Sequence, residues 1–350
     1  MVDWKKIGNV CKAVSPPKKL GKELFHDEGI FPIIDQGQKD VVGYTDDLLA
    51  LLPYGEYILF GDHTRYVKYH KGVFAQGADG LKILKPIESI IPRYFFYVFE
   101  NTEIPCRGYS RHWSIAKDLI IPIPSLSEQT RIVGILDTFT ASIENLKEQI
   151  AERRKQYEHY RDQLLDLEGK EGVEMKVVSY FVKDRIIANE LTPQNYTSVE
   201  NLLKDKAGRK DSESVPIEGN WIRYQKGDVL IGNIRPYLRK IWLSDRDGGT
   251  NGDVIVVRAN NEFLPAYMYY CLSSERFFLY YNQSLKDGKM PRGEKSRVLS
   301  YVIPKVGLNE QSHIVSILDT FEASIQNLEA QLKEREKQYE YYRNKLLTFE

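Results

Sequence analysis

Residues 122–168 read PIPSLSEQTRIVGILDTFTASIENLKEQIAERRKQYEHYRDQLLDLE, and residues 304–350 read PKVGLNEQSHIVSILDTFEASIQNLEAQLKEREKQYEYYRNKLLTFE. The two stretches align without a gap at a constant offset of 182, and 28 of the 47 aligned positions are identical. The blocks that precede the two copies, about 120 and 135 residues long, differ from each other in sequence. The chain therefore repeats one scaffold and carries two different blocks on it, which indicates two distinct recognition units.

Both copies have the pattern of one long α-helix with a single apolar stripe. The apolar and aromatic residues alternate in steps of four and three, as they do where the helices of a coiled coil meet. Ser127 or Asn309 can cap the start of the helix. We expect the following residues to form the contact between helices: Leu136, Phe139, Ile143, Leu146, Ile150, Tyr157 and Leu164 in the first copy, and Leu318, Phe321, Ile325, Leu328, Leu332, Tyr339 and Leu346 in the second.

A helix of about 40 residues, roughly 60 Å long, needs a partner for such a stripe. The second copy supplies a matching stripe in every chain, so pairing within one chain is favoured over dimerisation of two molecules. The residues leave the direction open, because the intervening block can return the chain either way. An antiparallel pair would place one globular domain at each end, and a parallel pair would place both domains at one end.

Arg153 and Arg335 interrupt the two stripes at equivalent positions. A charge at such a position costs stability and often fixes the register of the pair. Two interpretations are open. The arginines can pair with neighbouring glutamates, or their charged ends can extend to the edge of the stripe. The candidate partners are Glu152, Glu158, Glu334 and Glu340.

Composition limits the possible functions. A chain of 350 residues with 42% hydrophobic content is expected to form two or three domains with real cores. The net charge is zero, but the variable blocks sum to +5 and the two repeats to −5. Nucleic acid would therefore bind the variable blocks, whereas the acidic helices suit a protein partner.

Cysteine usage and hydropathy point to the cytoplasm. Cys11, Cys106 and Cys271 are far apart and odd in number, so neither a disulfide framework nor a zinc site is suggested. The chain contains no run of 18 apolar residues, and its N-terminus lacks the apolar core of a signal peptide. We expect a cytoplasmic protein that does not associate with a membrane.

Each variable block has the pattern of an α+β domain. Short β-type runs alternate with turns, and an aromatic-rich run late in each block, RYFFYVFE at 93–100 and PAYMYYCL at 265–272, predicts a helix. Each block then ends in an Ile-Pro run before the repeated helix. This shared order implies two domains of common fold and diverged sequence. The predicted strands are 30–34, 56–60 and 81–84 in the first block, and 228–231, 240–243 and 253–257 in the second.

Several predicted turns carry side chains that suit DNA. Arg, Asn and His hydrogen-bond base edges, while Lys, Ser and Thr bind phosphates. A solvated turn or an ion-paired surface is the alternative for each residue. The candidates in the first block are Gly61, Asp62, His63, Thr64, Arg65, Ser110, Arg111 and His112. Those in the second block are Asn233, Arg235, Tyr237, Arg239, Lys240, Lys286, Lys289, Arg292, Lys295 and Arg297.

The sequence contains no known catalytic motif. The phosphate-binding loop, the GxGxxG fingerprint, the HExxH metal site and the GxSxG elbow are all missing from it. Asp62 and His63 could suggest a catalytic pair, but adjacent residues on a strand or turn usually point apart. We therefore predict neither catalytic nor metal-binding residues.

The start of the repeat, IPxPxLxEQxxIVxILD at 121–137 with its second copy at 303–319, resembles the specificity subunit of type I restriction-modification systems. Short runs in the first block resemble one common class of recognition domain of that family, and two runs in the second block resemble another. In the second copy, Lys-Val-Gly replaces the usual Pro-x-Pro at 305–307. The runs are 43–46, 60–64, 78–80 and 109–112 in the first block, and 227–230 and 234–236 in the second.

The resemblance implies two target recognition domains, residues 1–124 and 169–304, that each read one half of a split DNA target. It implies two spacer helices, residues 125–168 and 305–350, that form an antiparallel coiled coil with pseudo-twofold symmetry. These helices would set the length of the unread spacer and dock modification (methyltransferase) subunits, and restriction subunits would join the assembly.

The same resemblance implies that this chain binds no cofactor itself. S-adenosylmethionine, ATP and Mg would belong to the partner subunits. Three competing hypotheses remain: a two-headed coiled-coil adaptor that binds proteins rather than DNA, a hydrolase with its site around His63, and a specificity subunit that works with modification subunits alone.

Overall fold

The computed structural model describes residues 2–77, 79–106, 108, 110–283, 285 and 290–349. It divides into two compact units. The first unit comprises Met1–Glu148 with Ala330–Glu350, and the second comprises Gln149–Glu329. Each unit thus contains one variable block together with parts of both repeated helices.

The elements follow one another in chain order. The first variable block and the helix after it contain β1 (Asp3–Lys6), α1 (Ile7–Val10), β2 (Cys11–Val14), β3 (Lys19–Leu20), β4 (Phe31–Ile34), β5 (Gly43–Thr45), β6 (Leu51–Gly61), β7 (Val67–Gly77), β8 (Leu81–Pro86), α2 (Pro92–Glu100), α3 (Trp113–Ala116), β9 (Ile120–Ile123) and α4 (Leu126–Leu164). The second block and its helix contain β10 (Gly172–Glu174), α5 (Met175–Val178), β11 (Ser179–Phe181), β12 (Arg185–Ile187), β13 (Asn220–Tyr224), β14 (Val229–Gly232), β15 (Ile241–Leu243), β16 (Gly248–Thr250), β17 (Val254–Ala259), α6 (Pro265–Leu272), α7 (Glu275–Asn282), α8 (Lys295–Ser300), β18 (Val302–Pro304) and α9 (Leu308–Leu347).

The first unit is built on one sheet with the strand order β2-β8-β6-β7-β4-β5, and β3 pairs with β7. Successive residues of β6 face opposite sides of the sheet, as the period of a strand requires. Ile58 and Phe60 pack in the core that contains α2, whereas Tyr57 and Leu59 pack in a separate cluster on the other face. The sheet therefore has a core on both faces, which explains why residues 57–60 form a continuous apolar run.

The second unit repeats the central framework of the first. Its sheet order β11-β17-β14-β15 corresponds to β2-β8-β6-β7, and β10 pairs with β18 as β1 pairs with β9. The two units differ around this framework, because the second adds a separate sheet, β12-β13-β16, and the helix α7. The prediction of two α+β domains with a common fold is confirmed, and α6 has the predicted bounds.

The two long helices run antiparallel in each unit. In the first unit the rings of Phe139 and Tyr342 stack at 5.3 Å between centroids, and Lys147 lies 3.6 Å from Glu336. Moving forward along α4 therefore means moving backward along α9. The helices are antiparallel in the second unit too. There Arg154 Nη2 lies 2.5 Å from Glu329 Oε1, and the rings of Tyr160 and Phe321 stack at 5.4 Å between centroids. The structure thus resolves the direction that the residues left open. All fourteen predicted packing residues are buried or partly buried.

Arg153 and Arg335 make the same contact in the two units. The guanidinium of Arg153 lies 5.7 Å from the ring centre of Phe321, and that of Arg335 lies 5.7 Å from the ring centre of Phe139. Since Phe139 and Phe321 occupy equivalent positions of the repeat, the same type of cation–π contact joins the two helices in both units. Such contacts contribute about 0.5–1 kcal/mol at partly exposed sites. An aromatic face on the opposite helix thus accommodates the charge within the stripe.

A buried glutamine attaches each domain to its long helix. Gln129 is fully buried, and its Oε1 accepts a hydrogen bond from the Ile91 N–H at 2.9 Å while its Nε2 donates to the carbonyls of Ser89 and Pro124. Gln311 is also fully buried and makes the equivalent bonds to Leu264 N–H, Glu262 O and Val306 O.

Two tyrosines of the late domain helix complete each joint. In the first unit Tyr94 donates to Pro122 O at 2.9 Å, and Tyr97 donates to Asp137 at 2.5 Å. In the second unit the equivalent bonds run from Tyr267 to Pro304 O at 3.0 Å and from Tyr270 to Asp319 at 2.5 Å. Two domains of diverged sequence are thus held by one set of contacts.

The joints differ in charge. In the first unit Arg93 Nε donates to Asp137 at 2.7 Å, and its guanidinium lies 4.7 Å from the ring centre of Tyr69. Alanine occupies the position equivalent to Arg93 in the second unit. There Glu322 accepts a hydrogen bond from Tyr157 at 3.0 Å. Burial raises the pKa of the Glu322 carboxyl, and the negative charge of nearby Asp319 raises it further.

The glutamine joint makes a direct prediction. Replacing Gln129 by Ala leaves the Ile91 N–H and the carbonyls of Ser89 and Pro124 without this buried partner, so the free energy of unfolding should fall by about 3 kcal/mol. Gln331→Ala is the matched control, because Gln331 is an exposed residue of α9, and it should change stability by less than about 0.5 kcal/mol. Urea denaturation of the three proteins measures both values. Equal stability of the two variants would contradict the proposed role of the joint.

Candidate nucleic-acid interface

Asp62 organises one edge of the sheet in the first unit. It follows β6 and is 2% exposed. Its N–H donates to Gly80 O at 2.7 Å, its carbonyl accepts from the His112 N–H, and its Oδ1 accepts from the Trp113 N–H at 2.7 Å. His112 is 1% exposed. Three segments that are distant in sequence, at 62, 80 and 112–113, therefore meet at this edge, where Asp62 and His112 hold the loops in place.

Gln36 holds the tight turn that follows Asp62. Its carbonyl accepts from Thr64 Oγ1 at 2.5 Å, its Oε1 accepts from the His63 N–H at 3.2 Å, and its Nε2 donates to Asp79 O at 3.3 Å. A Cβ on Gly61 would lie 2.1 Å from Thr64 Oγ1 and 2.7 Å from Gln36 O, so only glycine fits there. Gln36 was not predicted from the sequence, because it stands alone in a polar loop without a motif.

Arg111 is an exposed cation of this edge, one position before buried His112. Ser110 is partly buried. Arg65 is exposed but adopts a left-handed backbone with φ 65°, and its Nη1 donates to Ile104 O at 3.0 Å. Non-glycine residues in this conformation store strain, and such strain is enriched at functional sites. The edge therefore combines a buried polar support with arginines at its surface.

In the second unit Asn233 has the same supporting role. It follows β14, is 5% exposed, and accepts a hydrogen bond from the buried Tyr281 hydroxyl at 2.6 Å. Its N–H donates to Asp253 O, and its carbonyl accepts from the Gly293 N–H. Asn233 thus joins the end of β14 to the loops at 253 and 293.

The turn after Asn233 is strained. Arg235 and Arg239 both have left-handed backbones, with φ 50° and 51°, and they flank a 3-10 turn at Pro236–Leu238. Tyr237 in this turn is 49% exposed. Arg239 Nη1 lies 2.8 Å from Glu275 of α7. The turn therefore presents Tyr237 at the surface while the Arg239 guanidinium pairs with α7.

The segment 286–297, predicted as a basic loop, divides between two places, and its last residues lie in helix α8 instead of a loop. Arg292 lies 2.8 Å from Asp253, and Lys295 donates to Gly252 O at 3.0 Å, so both lie beside the Asn233 turn. Arg297 instead stacks on Tyr280 of α7 at 4.1 Å and donates to the carbonyl of that residue. Lys286 and Lys289 lie outside the described residues.

A polar cavity of about 590 Å³ opens beside the Asn233 turn. Arg235 and Lys240 line it from the turn, Asn251 and Asp253 from the loop before β17, and Lys210 from a segment that the sequence analysis passed over. That segment, KDKAGRK at 204–210, has four cations in seven residues, a denser run than the predicted 286–297 loop with five in twelve. Its composition alone could have identified it.

The matching families and structures agree with this architecture. Residues 1–153 and 185–336 both match the family described as "Type I restriction modification DNA specificity domain". The chain belongs to this family. The chain is 26% identical to the type I restriction enzyme EcoR124I/EcoR124II specificity subunit of Escherichia coli, over 99% of this chain and 94% of that protein. It is also 26% identical to a putative type I restriction enzyme specificity subunit of Haemophilus influenzae, over 99% and 96% of the two chains.

Two solved structures of type I restriction-modification systems share the fold of this chain. The S subunit of a type I restriction-modification system from M. genitalium superposes with a TM-score of 0.67 at 17% identity, over 100% of this chain and 97% of that one. A chain from a study of complex assembly and conformational transition of the type I R-M system superposes with a TM-score of 0.57 at 15% identity, over 99% and 96%. At these identities the likeness establishes the fold alone.

Two other features are missing from the described residues. Within that part of the chain, His, Cys, Asp and Glu side chains form no group of three or more that could hold a metal ion. Nor does any helix there have the length and apolar character to cross a membrane.

The role of Asp62 as a support can be tested against a neighbour at the same edge. Asp62→Ala removes a buried acceptor of a backbone N–H and should lower the free energy of unfolding by about 2 kcal/mol. Asp79→Ala removes only an ion pair with Lys19, in which the aspartate side chain is 85% exposed, and should cost less than about 0.5 kcal/mol. Thermal or urea unfolding distinguishes the two variants. If Asp62→Ala were as stable as Asp79→Ala, Asp62 would not be the support of this edge.

Proposed function

We propose that this chain is the DNA-recognition subunit of a type I restriction-modification complex, in which each domain reads one half of a bipartite target. The observation that carries the proposal is the match of one specificity-domain family to both halves of the chain. The two domains share a framework and differ in the loops around it. A common framework with different loops suits two domains that read different half-sites.

Within each domain the side chains divide into supports and reading groups. Asp62, His112 and Asn233 are at most 5% exposed and hold loops by hydrogen bonds, so their role is to position. Exposed residues on the same loops, such as Arg111 and Tyr237, are the candidates for direct contact with base edges or the DNA backbone. Contact with DNA stays a prediction for each candidate residue.

The chain supplies recognition, and we assign the chemistry to partner subunits. Modification subunits would carry S-adenosylmethionine and methylate adenine, and restriction subunits would use ATP and Mg. Such a complex works on DNA in the cytoplasm. The paired helices would set the unread spacer and dock the modification subunits.

A repeated outer surface supports this docking. Thr138, Ala141 and Asn145 lie on the side of α4 opposite the apolar stripe and are exposed. The equivalent residues of α9, Thr320, Ala323 and Asn327, are identical and also exposed. Burial does not explain why two diverged copies keep the same exposed residues, whereas binding of two copies of one partner does.

The repeated surface predicts a change in stoichiometry. Ala141→Arg introduces a bulky charge into one of the two surfaces, so the purified complex should contain one modification subunit where the unaltered complex contains two. Ala323→Arg should have the same effect, and the double variant should bind none. Native mass spectrometry of the co-expressed subunits measures this ratio.

Ala151→Arg provides the control for these variants. Ala151 is exposed on α4, and a lysine, Lys333, already occupies the equivalent position of α9. A cation is therefore tolerated there, and the variant should bind two modification subunits. Unchanged stoichiometry in the Ala141/Ala323 double variant would exclude this surface as the docking site.

DNA recognition and the adaptor alternative differ in their response to salt. Phosphate contacts release counterions, so the logarithm of the DNA affinity falls linearly with the logarithm of the salt concentration. We expect a steep dependence for the complex of this chain with its modification subunits. An affinity for duplex DNA that is negligible at every salt concentration would exclude the proposed function and favour an adaptor.

A further inference from the structure

The segment passed over in the sequence forms a β-hairpin in the second unit. Leu202 bridges to Arg209, Lys210 N–H donates to Asn201 O at 2.9 Å, and Leu203 N–H donates to Gly208 O at 2.8 Å. Residues 201–210 are called the basic hairpin below. They contain four cations, Lys204, Lys206, Arg209 and Lys210, and one acid, Asp205.

The base of the basic hairpin is fixed in the domain core. Leu202 is 1% exposed and packs with Leu230, Trp242 and Val256. The Arg209 guanidinium lies 5.5 Å from the Trp242 ring centre, and its nitrogens donate to the carbonyls of two residues at 193 and 194. Arg209 is therefore committed to structure, and the hairpin leaves the core in a defined direction.

The tip of the basic hairpin is also held in place. Asp205 and Lys206 have left-handed backbones, with φ 52° and 64°, and Gly208 has φ 86°. The Lys206 N–H donates to Arg239 O at 3.0 Å, which ties the tip to the strained turn after β14. Lys206 is partly buried, while Lys204 and Lys210 are exposed. The hairpin thus projects two of its four cations to solvent on a rigid support.

These two lysines lie beside two cations of the neighbouring turn. Arg235, Lys240 and Lys210 line the same cavity. Burial lowers the pKa of Lys240, and the charges of Lys204, Arg235 and Lys210 lower it further. Three positive groups from two segments of the chain therefore line one cavity, with Lys204 of the same hairpin close enough to act on Lys240, and their mutual repulsion favours an anion there.

Acidic residues neutralise only part of the positive charge that lines the cavity. Glu213 lies 3.2 Å from Lys210, and Glu200 also lines the cavity close to Lys240. Lys240 donates to Val199 O at 2.6 Å, which holds its ammonium in place. The Lys210 side chain remains 53% exposed despite its pair. An exposed lysine on a fixed hairpin suits a phosphate, because the ammonium acts as a point charge without a required orientation.

We propose that the basic hairpin is a DNA-backbone clamp of the second domain, in which Lys204 and Lys210, together with Arg235 and Lys240 of the neighbouring turn, bind phosphates of the duplex that carries the second half-site. This inference rests on the proposed function. It assigns Lys204 and Lys210 the task of positioning the domain on the duplex, and leaves base recognition to other residues.

The test uses the complete complex of this chain with its modification subunits and the double variant Lys204→Gln/Lys210→Gln. DNA binding is measured by fluorescence anisotropy at several KCl concentrations. One duplex carries the sequence that the complex methylates, and the other has an unrelated sequence. Loss of two phosphate contacts should make the slope of log affinity against log salt less steep by about 2. The affinity of the variant complex for both duplexes should be lower than that of the unaltered complex by about tenfold or more at 0.1 M salt. The sequence that the variant complex methylates should be unchanged.

Two controls accompany the variant. Lys226→Gln changes an exposed lysine at the opposite end of β14 from the cavity and should bind as the unaltered complex does. Lys204→Arg/Lys210→Arg keeps both charges and should retain the salt slope. If the double glutamine variant fails to assemble, the single variants Lys204→Gln and Lys210→Gln each test a change in slope of about 1.

The outcomes separate this inference from the function on which it rests. An unaltered complex that binds DNA with a steep salt dependence, beside a glutamine variant with the same slope and affinity, would overturn the clamp alone. A variant that methylates an altered second half-site would show that these lysines read bases, and would also overturn it. An unaltered complex without DNA affinity would overturn the proposed function itself.

Discussion

The apolar stripe of a 39-residue helix is the constraint on which the rest of the structure depends. Exposed to water along its length, such a stripe would forgo about 1.5–3 kcal/mol for each large apolar side chain, a total comparable to the net stability of a domain. The second copy of the repeat covers it, antiparallel in each unit, and the Arg153 and Arg335 cation–π contacts accommodate the two charges within the stripes. Gln129 and Gln311 fix each domain to the start of its own helix.

Much of this architecture is predictable from the sequence because it depends on periodic burial. The four-three spacing identified both helices and fourteen residues of the stripes that are buried or partly buried, and the aromatic runs identified α2 and α6. The common order of elements identified the shared domain framework. These features follow from which residues must leave water, and that information is local to each segment.

Features that depend on contacts between distant segments were not predictable in the same way. The residues left the helix direction open, since packing distinguishes antiparallel from parallel only through pairs such as Phe139 with Tyr342. Asp62 and Asn233 were grouped with surface candidates, because an isolated polar residue on a turn does not reveal that its partners bury it. The basic hairpin was missed although its composition was visible, and the cations that converge with it belong to another segment. The tyrosines and the glutamine of the joints recur in both halves, so a comparison of the two blocks around the repeat could have found them.

The central claim is that two different domains on one repeated scaffold each read half of a DNA target. The most direct test is a genome-wide map of adenine methylation, by single-molecule sequencing, in cells that express this chain with its modification subunit. The account predicts methylation at a single two-part motif with a spacer of constant length. A stable complex of the two subunits that methylates no motif, or a motif with only one part, would contradict it.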